Sequence, residues 1–575
     1  MTRKPATPDE KGEALEFLLF SGRYDEVVER TAAAPSPSDM PEAIGALALS
    51  GRLDEARSAF SGFVRESPDV EARTRARFFL VAGFCHAGQQ AQAMRMVRAS
   101  LADLPHTTGR TRFWIWQGLA LARYFEGRFD RARAAGRRAL STAMQASFSY
   151  ARVLSLDLLA HILAHRGEVH AGLRLLSQAA SLAQRLGYRD NEVTLRTSAV
   201  VLEAEYLVVD VETAIERVES AVATPEVSYF TRRNGLIVLA TLCAVRGDAA
   251  RATSALDEAR KIALPGSDRR GKTRWFIARA LATAVARGSE AARSLFEEAR
   301  AAADGQLPLL AELGFVEAFF YGSDELRKRM PAIAKQTRLA RAELAADHIA
   351  GRRLPDPAAT EDGFARALLM ATTGTTEHRL GLLIEKRCLG LIPRAMELEP
   401  GRRLILFDDH LIGEEHGTVV AGPAPSGPSR RVLLALGGGY RSRPALANEV
   451  WGLGRYDPVR HSAVINTAMS RLRSALPTAE WVVTDDDGYH LAAGVELVAL
   501  GAEVVATESV PPPPGEDEPI VEKLRRDGPC STADIASALK VSASSALRIL
   551  RRMTEDGRIE RTGSGRATRY RLVDP

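Results

Sequence analysis

One segment of the 575-residue chain has the residue types and spacing that can hold a nucleotide. Residues 266–273 read Gly-Ser-Asp-Arg-Arg-Gly-Lys-Thr and match the phosphate-loop pattern G-x-x-x-x-G-K-[ST]. In such a loop, backbone amides and the lysine bind phosphates, and the loop follows a buried strand. Here a helical pattern over residues 254–264 precedes Pro265, and no apolar strand ending in a magnesium-binding aspartate follows. We therefore expect a connection between helices, with nucleotide binding through Lys272 and Thr273 as the alternative.

A histidine pair is the second pattern that could do chemistry. His161 and His165 are four residues apart on a predicted helix, which is a spacing that can hold zinc. The residues between them lack the glutamate that a metalloprotease helix needs, so packed or solvated histidines are favoured over a zinc site. The four cysteines have no Cys-x-x-Cys spacing, which excludes a zinc ribbon and argues against a disulfide framework. We expect no metal, no cofactor and, since no serine, cysteine or carboxylate constellation suggests catalysis, no enzymatic activity.

The composition is that of a globular protein. The chain is 46% hydrophobic and 26% charged, with a net charge of +5, and its length suggests about three to five domains. The longest apolar stretch, residues 236–245, is about half the length that spans a bilayer, and the N-terminus lacks the apolar core of a signal peptide. We expect a cytoplasmic protein without membrane contact. The overall charge is weak evidence for nucleic-acid binding, so the local distribution of charge must decide.

A glycine that ends one helical pattern and begins the next recurs through the first 300 residues. Most copies are spaced by about 40 residues and carry an acidic residue just beyond the glycine, which suits a left-handed helix end followed by a new helix. One double spacing predicts a glycine-free turn near residues 210–213. Such a pattern predicts a stack of antiparallel helix pairs. The recurring glycines are Gly22, Gly51, Gly88, Gly127, Gly167, Gly247 and Gly288.

This pattern resembles the tetratricopeptide repeat family, best in residues 116–132, Trp-Gln-Gly-Leu-Ala-Leu-Ala-Arg-Tyr-Phe-Glu-Gly-Arg-Phe-Asp-Arg-Ala. The resemblance covers about half of the chain, although the repeat is longer than the family's 34 residues or so. It implies an α-solenoid whose concave face binds a peptide, a protein or another copy of the chain. A purely structural or self-associating array is the alternative.

The second half of the chain changes character after about residue 345. Residues 352–376 predict a connection with one helix, and short β-like runs follow at 403–407 and 418–420. A proline-rich, polar stretch near residues 511–514 predicts a stiff linker. The predicted segments are a repeat domain at 1–345, a connection at 346–400, a domain at 401–500, a linker at 501–515 and a last domain at 516–575.

The domain at 401–500 contains a helix with a polar face that suits a major groove. The helix begins after Asp457, an N-cap, and runs to Leu476. Its apolar face is opposed by small polar side chains between arginines, so the backbone can approach bases while arginines meet phosphates. The residues on and beside that face are Arg460, Ala463, Asn466, Thr467, Ser470, Arg471, Arg473 and Ser474.

With the runs Leu-Ala-Asn-Glu-Val-Trp-Gly at 446–452 and Val-Ile-Asn-Thr-Ala-Met-Ser-Arg-Leu-Arg at 464–473, this domain resembles the OmpR/PhoB-type winged helix. The resemblance implies that Asn466, Thr467 and Ser470 face bases and that Arg471 and Arg473 lie near the DNA backbone. The wing of a winged helix is the hairpin that follows the DNA-binding helix. Here the wing differs from that of the family because it carries three aspartates at 485–487, which DNA phosphates would repel. A degenerate winged helix kept for protein contacts is the alternative.

The last domain has the stronger DNA-binding pattern. Three short helices and a hairpin, residues 520–573, are similar to the winged helix-turn-helix of many bacterial regulators. Residues 540–573 carry 9 basic and 3 acidic side chains, so the wing and the third helix are both basic, as a DNA-binding surface requires. The residues expected to face DNA are Ser544, Ser545, Arg548, Arg551 and Arg552 on the third helix and Arg566 and Arg569 on the wing.

Together these patterns predict a mainly α protein, with a tetratricopeptide-like α-solenoid followed by two small α+β winged-helix domains. The function they favour is that of a bacterial transcriptional regulator that binds double-stranded DNA through both winged helices. Its repeat half would sense a partner protein, a peptide or ligand, or self-association into a homo-oligomer. The alternative is a protein-interaction scaffold with degenerate winged helices.

Overall fold

Antiparallel helices account for most of the chain up to residue 395. The computed structural model describes residues 15–16, 18–19, 22–33, 36–262, 268–500, 518–539, 543–555, 558–563 and 568–573. Residues 1–500 form one compact unit and residues 501–575 another. The helices up to residue 349 are α1 (Tyr24–Ala33), α2 (Met40–Leu49), α3 (Leu53–Glu66), α4 (Val70–His86), α5 (Gln90–Asp103), α6 (Gly109–Phe125), α7 (Phe129–Gln145), α8 (Ser149–His165), α9 (Val169–Leu186), α10 (Arg189–Glu205), α11 (Val211–Val222), α12 (Tyr229–Arg246), α13 (Ala249–Lys261), α14 (Arg269–Arg287), α15 (Ser289–Ala303), α16 (Leu307–Phe320), α17 (Asp324–Thr337) and α18 (Ala340–Ile349).

The repeat turns are built as the glycine pattern predicts. All seven recurring glycines have a positive φ, between +72° and +94°, which a side chain would strain. The small residues five places after three of them, Ala56, Ala93 and Ala132, are fully buried where paired helices touch. At the glycine-free turn, the carboxylate of Asp210 caps α11 by accepting a hydrogen bond from the Thr213 amide at 2.9 Å. The mainly α fold with a helical-repeat array is thus confirmed.

The array curls until early turns contact late helices. The ring of Tyr24 in α1 packs edge-on against Tyr229 of α12, with centroids 5.9 Å apart. A Cβ at Gly127 would lie 3.3 Å from Leu307 at the start of α16. The inner helices α4, α6, α8, α10, α12 and α14 therefore enclose a cavity.

The segment at 346–400 is more helical than the sequence indicates. The predicted helix at 363–371 is present as α19 (Gly363–Thr372), but α20 (Thr376–Glu385) and the short α21 (Ile392–Ala395) follow it. Their apolar residues, among them Leu368 and Leu383, are fully buried in the same core as α16 and α18. These helices are too short for a clear period, which is why the sequence suggests a connection.

Residues 401–500 combine two small sheets with three helices. The first sheet has the order β3-β2-β1-β7 with β1 and β7 parallel, and the second has the order β4-β6-β5. The elements are β1 (Arg402–Phe407), β2 (His410–Glu415), β3 (Thr418–Pro423), α22 (Gly427–Gly437), β4 (Arg441–Ser442), α23 (Arg443–Trp451), α24 (Pro458–Ala475), β5 (Val482–Thr484), β6 (Gly488–Leu491) and β7 (Val495–Leu500). Strands β1 and β3 correspond to the β-like runs predicted at 403–407 and 418–420.

Strand β1 is buried on both faces. Leu404 and Leu406 join the core formed with α22, α23 and α24. Ile405 and Phe407, on the opposite face, join the core of the repeat helices. The sheet is therefore a layer between the helical array and the three following helices.

The last unit has its own core. It contains α25 (Glu518–Asp527), α26 (Thr532–Leu539), α27 (Ala543–Glu555), β8 (Ile559–Thr562) and β9 (Arg569–Leu572). Ile535, Leu550 and Tyr570 are buried together, and the backbone of Cys530 exchanges two hydrogen bonds with that of Tyr570, at 3.0 and 2.8 Å. Three helices followed by a hairpin is the predicted arrangement. In the described parts of both units, no helix is long and apolar enough to cross a bilayer.

Candidate DNA-binding surfaces and ligand cavity

Helix α27 of the last unit contains five of the residues predicted to bind DNA, and its described apolar residues form part of the core. Ala546, Leu550 and Met553 are fully buried, while Arg551 is exposed. Ser544, Ser545, Arg548 and Arg552 belong to this helix, but the positions of their side chains lie outside what the structure describes. On the hairpin, Arg569 is exposed and Arg571 pairs with Glu560 across the strands. Arg566 lies outside the described residues.

Helix α24 exposes most of the second predicted surface. Ile465, Ala468, Met469 and Leu472 are buried. Most of the residues that are predicted to contact DNA are exposed, namely Arg460, Asn466, Thr467, Ser470 and Arg471.

Two residues of this surface are engaged by the neighbouring hairpin. The guanidinium of Arg473 donates to the Val482 carbonyl at 3.0 Å and to the Thr484 hydroxyl at 2.6 Å. The Tyr489 hydroxyl donates to Asn466 Oδ1 at 3.1 Å. Arg473 thus has a structural role that the sequence did not reveal, whereas Arg471 forms no hydrogen bond or ion pair with any described residue.

The acidic wing is exposed, as its composition predicts. Asp485, Asp486 and Asp487 all face solvent between β5 and β6. His490 Nε2 lies 3.6 Å from the Asp485 carboxylate. Near the start of α24, Val459 is 91% exposed.

The phosphate-loop match connects two helices. Asp268 caps α14, with its carboxylate accepting from the Gly271 amide at 3.0 Å, and the Thr273 hydroxyl donates to the Arg269 carbonyl at 2.9 Å. Lys272 and Thr273 are inside α14, and α13 ends at Lys261. Gly266 and Ser267 lie outside the described residues. The helical connection is as predicted, and the described residues before it contain no strand that could support a phosphate loop.

The histidine pair is split between two environments. His165 Nε2 lies 3.0 Å from the Tyr124 hydroxyl and its Nδ1 lies 3.1 Å from the Tyr206 hydroxyl. Burial lowers the pKa of His165 to about 3, so the ring is neutral. His161 instead lies 3.6 Å from Asp157. Among the described residues, no three His, Cys, Asp or Glu side chains are grouped to hold a metal.

The concave face of the repeat array encloses a cavity of about 430 Å³. Aromatic and aliphatic side chains dominate its lining, including Phe78, Phe79, Phe125, Leu158 and Phe230. A volume of several hundred Å³ with apolar walls and a few polar groups is typical of a small-molecule or peptide site.

Three arginines from α12 and α14 reach this cavity. Arg233 is paired with Asp268 at 2.9 Å, and both side chains are buried. Arg274 is paired with Glu205 at 2.6 Å and with Glu312 at 3.0 Å. Arg270 donates to the Tyr124 hydroxyl at 2.9 Å.

A family model described as winged helix-turn-helix DNA-binding matches residues 520–560. The chain therefore carries a C-terminal winged helix-turn-helix. The matched residues cover α25, α26, α27 and the start of β8, so the family match and the observed fold coincide. No curated protein matches the chain.

Several solved structures resemble parts of the chain at low sequence identity. NprR in complex with its cognate peptide NprX is 10% identical over 51% of this chain and 87% of that chain, with a TM-score of 0.40. A Rap protein complexed with competence and sporulation factor is 11% identical over 63% and 97%, with a TM-score of 0.40. BtubC (BKLC) from P. vanneervenii is 20% identical over 39% and 90%, with a TM-score of 0.28.

Sequence reasoning missed the cavity residues altogether. Arg270 and Tyr124 are 146 positions apart, and nothing in their spacing indicates that they meet. The winged helix-turn-helix, by contrast, was found from local helix and hairpin patterns.

Proposed function

We propose that this protein is a bacterial, cytoplasmic transcriptional regulator that binds duplex DNA and catalyses no reaction. The observation that carries the proposal is the C-terminal winged helix-turn-helix with exposed Arg551 and Arg569. A helix flanked by arginines enters the major groove, while wing arginines meet phosphates or the minor groove.

Within this module, the roles follow from the position of each residue. Ser544, Ser545 and Arg548 lie in the first half of α27, the part of a recognition helix that reads base edges. The arginines farther along the helix and on the wing would contact phosphates, which supplies affinity without sequence preference. These are Arg551, Arg552, Arg566 and Arg569.

Residues 401–500 would form a second, OmpR/PhoB-type DNA-binding surface. Support comes from the order of α22, α23, α24 and the hairpin, and from the exposure of Asn466, Thr467, Ser470 and Arg471 on α24. Arg460 extends the basic surface at the start of this helix. Because Arg473 is bound to the hairpin, its contribution would be to hold the wing against α24.

The repeat half would receive the signal. Its enclosed, largely apolar cavity with charged groups in the lining suits a peptide or similar ligand better than a flat protein surface. Self-association of the array would be an additional route of control.

The second candidate function is a protein-interaction scaffold. The exposed acidic wing favours it, because three carboxylates repel DNA phosphates and suit a protein partner better. In that case both winged-helix domains would bind proteins instead of DNA.

Fluorescence anisotropy against mixed genomic duplexes, over a salt series, tests the proposal. The full chain is compared with a chain lacking residues 516–575, which retains the whole first unit. We expect binding that weakens steeply with salt and is largely lost on truncation. No binding at low salt would reject the DNA-binding function and favour the scaffold.

A further inference from the structure

We infer that the repeat cavity binds a short, extended peptide of three or four residues with both ends free. The α-carboxylate would pair with Arg270 and the α-ammonium group with Asp157. This inference rests on the proposed sensing role of the repeat half and names the chemical class of the ligand.

Arg270 is a cation that has no carboxylate within ion-pair distance in the described part of the chain, and the charge of Glu312 acts on it from farther away. Its guanidinium lies over the rings of Tyr124 and Phe125, 5.3 and 5.4 Å from their centroids, and donates to the Tyr124 hydroxyl. In the described part of the chain, no Asp or Glu forms an ion pair with it. The two other arginines of the cavity, Arg233 and Arg274, both have carboxylate partners.

An arginine in this position has donors to offer a ligand. A guanidinium carries five N–H donors in a planar fork and binds carboxylates with two parallel hydrogen bonds. Arg270 uses one donor on a neutral hydroxyl. Burial lowers the pKa of His86, another lining residue, to about 4, so this ring adds no charge at neutral pH. A carboxylate entering the cavity would therefore pair with Arg270.

Asp157 is the complementary group in the lining. Its carboxylate has no arginine or lysine partner among the described residues, and the nearest basic atom is His161 Nε2 at 3.6 Å. The side chain is 40% exposed, so it can accept a ligand's ammonium group without first being freed from a partner.

The separation of the two groups sets the length of the ligand. Asp157 and His165 are eight residues apart on α8, or about 12 Å along the helix axis. His165 and Arg270 bind the same Tyr124 hydroxyl, so Arg270 marks the far end of that distance. An extended chain covers about 3.3–3.6 Å per residue, which makes three or four residues the fitting length.

The apolar lining of the cavity favours a peptide with apolar side chains. Phe78, Phe125, Leu158, Leu195 and Phe230 line the cavity. An arginine and an aspartate that each lack a direct ion pair with an oppositely charged Arg, Lys, Asp or Glu, in a cavity with an apolar lining, suit a zwitterion. A nucleotide or other phosphate ester would require several free cations at one end.

Isothermal titration of the full chain with defined peptide pools tests the inference. The pools contain tripeptides and tetrapeptides of Phe, Leu, Val and Tyr with free ends, with an amidated C-terminus, or with an acetylated N-terminus. We expect the free pool to bind and either modification to weaken binding by about 10- to 100-fold, as loss of a hydrogen bond to a charged group does. Equal affinity of all three pools, or no binding up to about 1 mM peptide, would overturn the inference.

Substitutions of Arg270 and Asp157 test which end of the peptide each residue binds. In Arg270→Gln the free and amidated pools should bind alike, and in Asp157→Asn the free and acetylated pools should bind alike. Arg270→Lys should retain part of the preference for a free carboxylate. Arg138→Gln is the matched control, since Arg138 also lies over an aromatic ring, Trp116, but does not line the cavity. If Arg270→Gln leaves the discrimination unchanged, Arg270 is not the carboxylate site.

The comparison of pools on the unmodified chain needs no variant, so a variant that fails to fold does not affect it. DNA binding is measured separately by anisotropy. If the chain binds DNA but none of the peptide pools, the peptide site alone is rejected. If the chain does not bind DNA, the proposed function is rejected.

Discussion

The backbone amide of Val419 donates to the carbonyl of Gly247 at 2.7 Å, joining β3 of the first sheet to the end of repeat helix α12. Beside this bond, a Cβ at Gly390 would lie 2.1 Å from the Ala244 carbonyl, so the backbones are in direct contact. Apolar residues of β1 and β2 continue the contact into the repeat core. Residues 401–500 are thus fixed to the helical array, and a change in the array can reach them without a flexible tether.

This joint predicts an unusually strong effect of Gly247→Ala. Gly247 has a φ of +94°, and a Cβ there would lie 2.8 Å from Val419 Cβ. Gly187 is the matched control, because it also ends a repeat helix with a positive φ of +79° but has nothing within 4 Å of its Cβ position. We expect Gly187→Ala to lower the free energy of unfolding by about 1–2 kcal/mol. Gly247→Ala should add about 1–3 kcal/mol of overpacking. Equal urea midpoints for both variants would contradict the tight joint.

The repeat array could be predicted because its signals are local. A glycine at most turns and a buried alanine five places after several of them, such as Ala56 and Ala132, recur along the chain. The docked sheet could not be predicted in the same way. Strand β1 of this sheet is buried on both faces, so its sequence is a continuous apolar run without the alternation that identifies a strand. Its partner β7 is about 90 residues away in the chain.

Arg473 and Arg471 should behave differently when substituted, although the sequence places both near DNA. Arg473→Ala removes hydrogen bonds to Val482 and Thr484, which should lower the free energy of unfolding by about 1–2 kcal/mol. Arg471→Ala removes no hydrogen bond or ion pair among the described residues, so it should leave stability nearly unchanged and weaken DNA binding. Urea unfolding and anisotropy of each variant measure the two effects. If Arg471→Ala destabilises as much as Arg473→Ala, the assignment of roles is wrong.

The contribution of His165 to the stability of the repeat domain should be lost in mild acid; burial lowers the pKa of His86 to about 4 and adds to this loss, whereas burial raises the pKa of Glu42 to about 8 and opposes it. Burial lowers the pKa of His165 to about 3, whereas an unfolded histidine has a pKa near 6.5. Below pH 6.5 the unfolded chain therefore binds a proton that the folded chain does not, and the free energy of unfolding decreases as pH falls. The contribution lost by pH 5 is about 2 kcal/mol.

Urea midpoints of the full chain between pH 5 and pH 7.5 measure this dependence. His165→Gln should be less stable at pH 7.5, since its bonds to Tyr124 and Tyr206 are altered, but it should show a shallower decrease with acid. His378→Gln is the control at an exposed position and should follow the unmodified chain. An unchanged slope in His165→Gln would mean that another group is responsible.

The candidate sites differ in how far the sequence reveals them. The winged helix-turn-helix depends on α27 and a hairpin, which are adjacent in the chain and recognisable from composition. The cavity depends on Arg270, Tyr124 and Asp157, which come from three different repeats, and Arg270 contacts Tyr124 only because the array curls. The role of Arg473 likewise depends on where the hairpin returns, which no local pattern specifies.

Base readout by the last module predicts different consequences for two of its arginines. Arg548 lies in the first half of α27, so Arg548→Ala should change sequence preference, with a loss of about 1–3 kcal/mol confined to the preferred duplex. Arg569 is exposed on β9, so Arg569→Ala should weaken binding to all duplexes alike and reduce the salt slope by about 1. Arg526→Ala is the control, because this arginine on α25 is already paired with Asp527 at 2.8 Å and should leave DNA binding unchanged. Anisotropy with the preferred and a scrambled duplex over a salt series measures all three variants. Equal, uniform losses from Arg548→Ala and Arg569→Ala would show that α27 does not read bases, even if the module binds DNA.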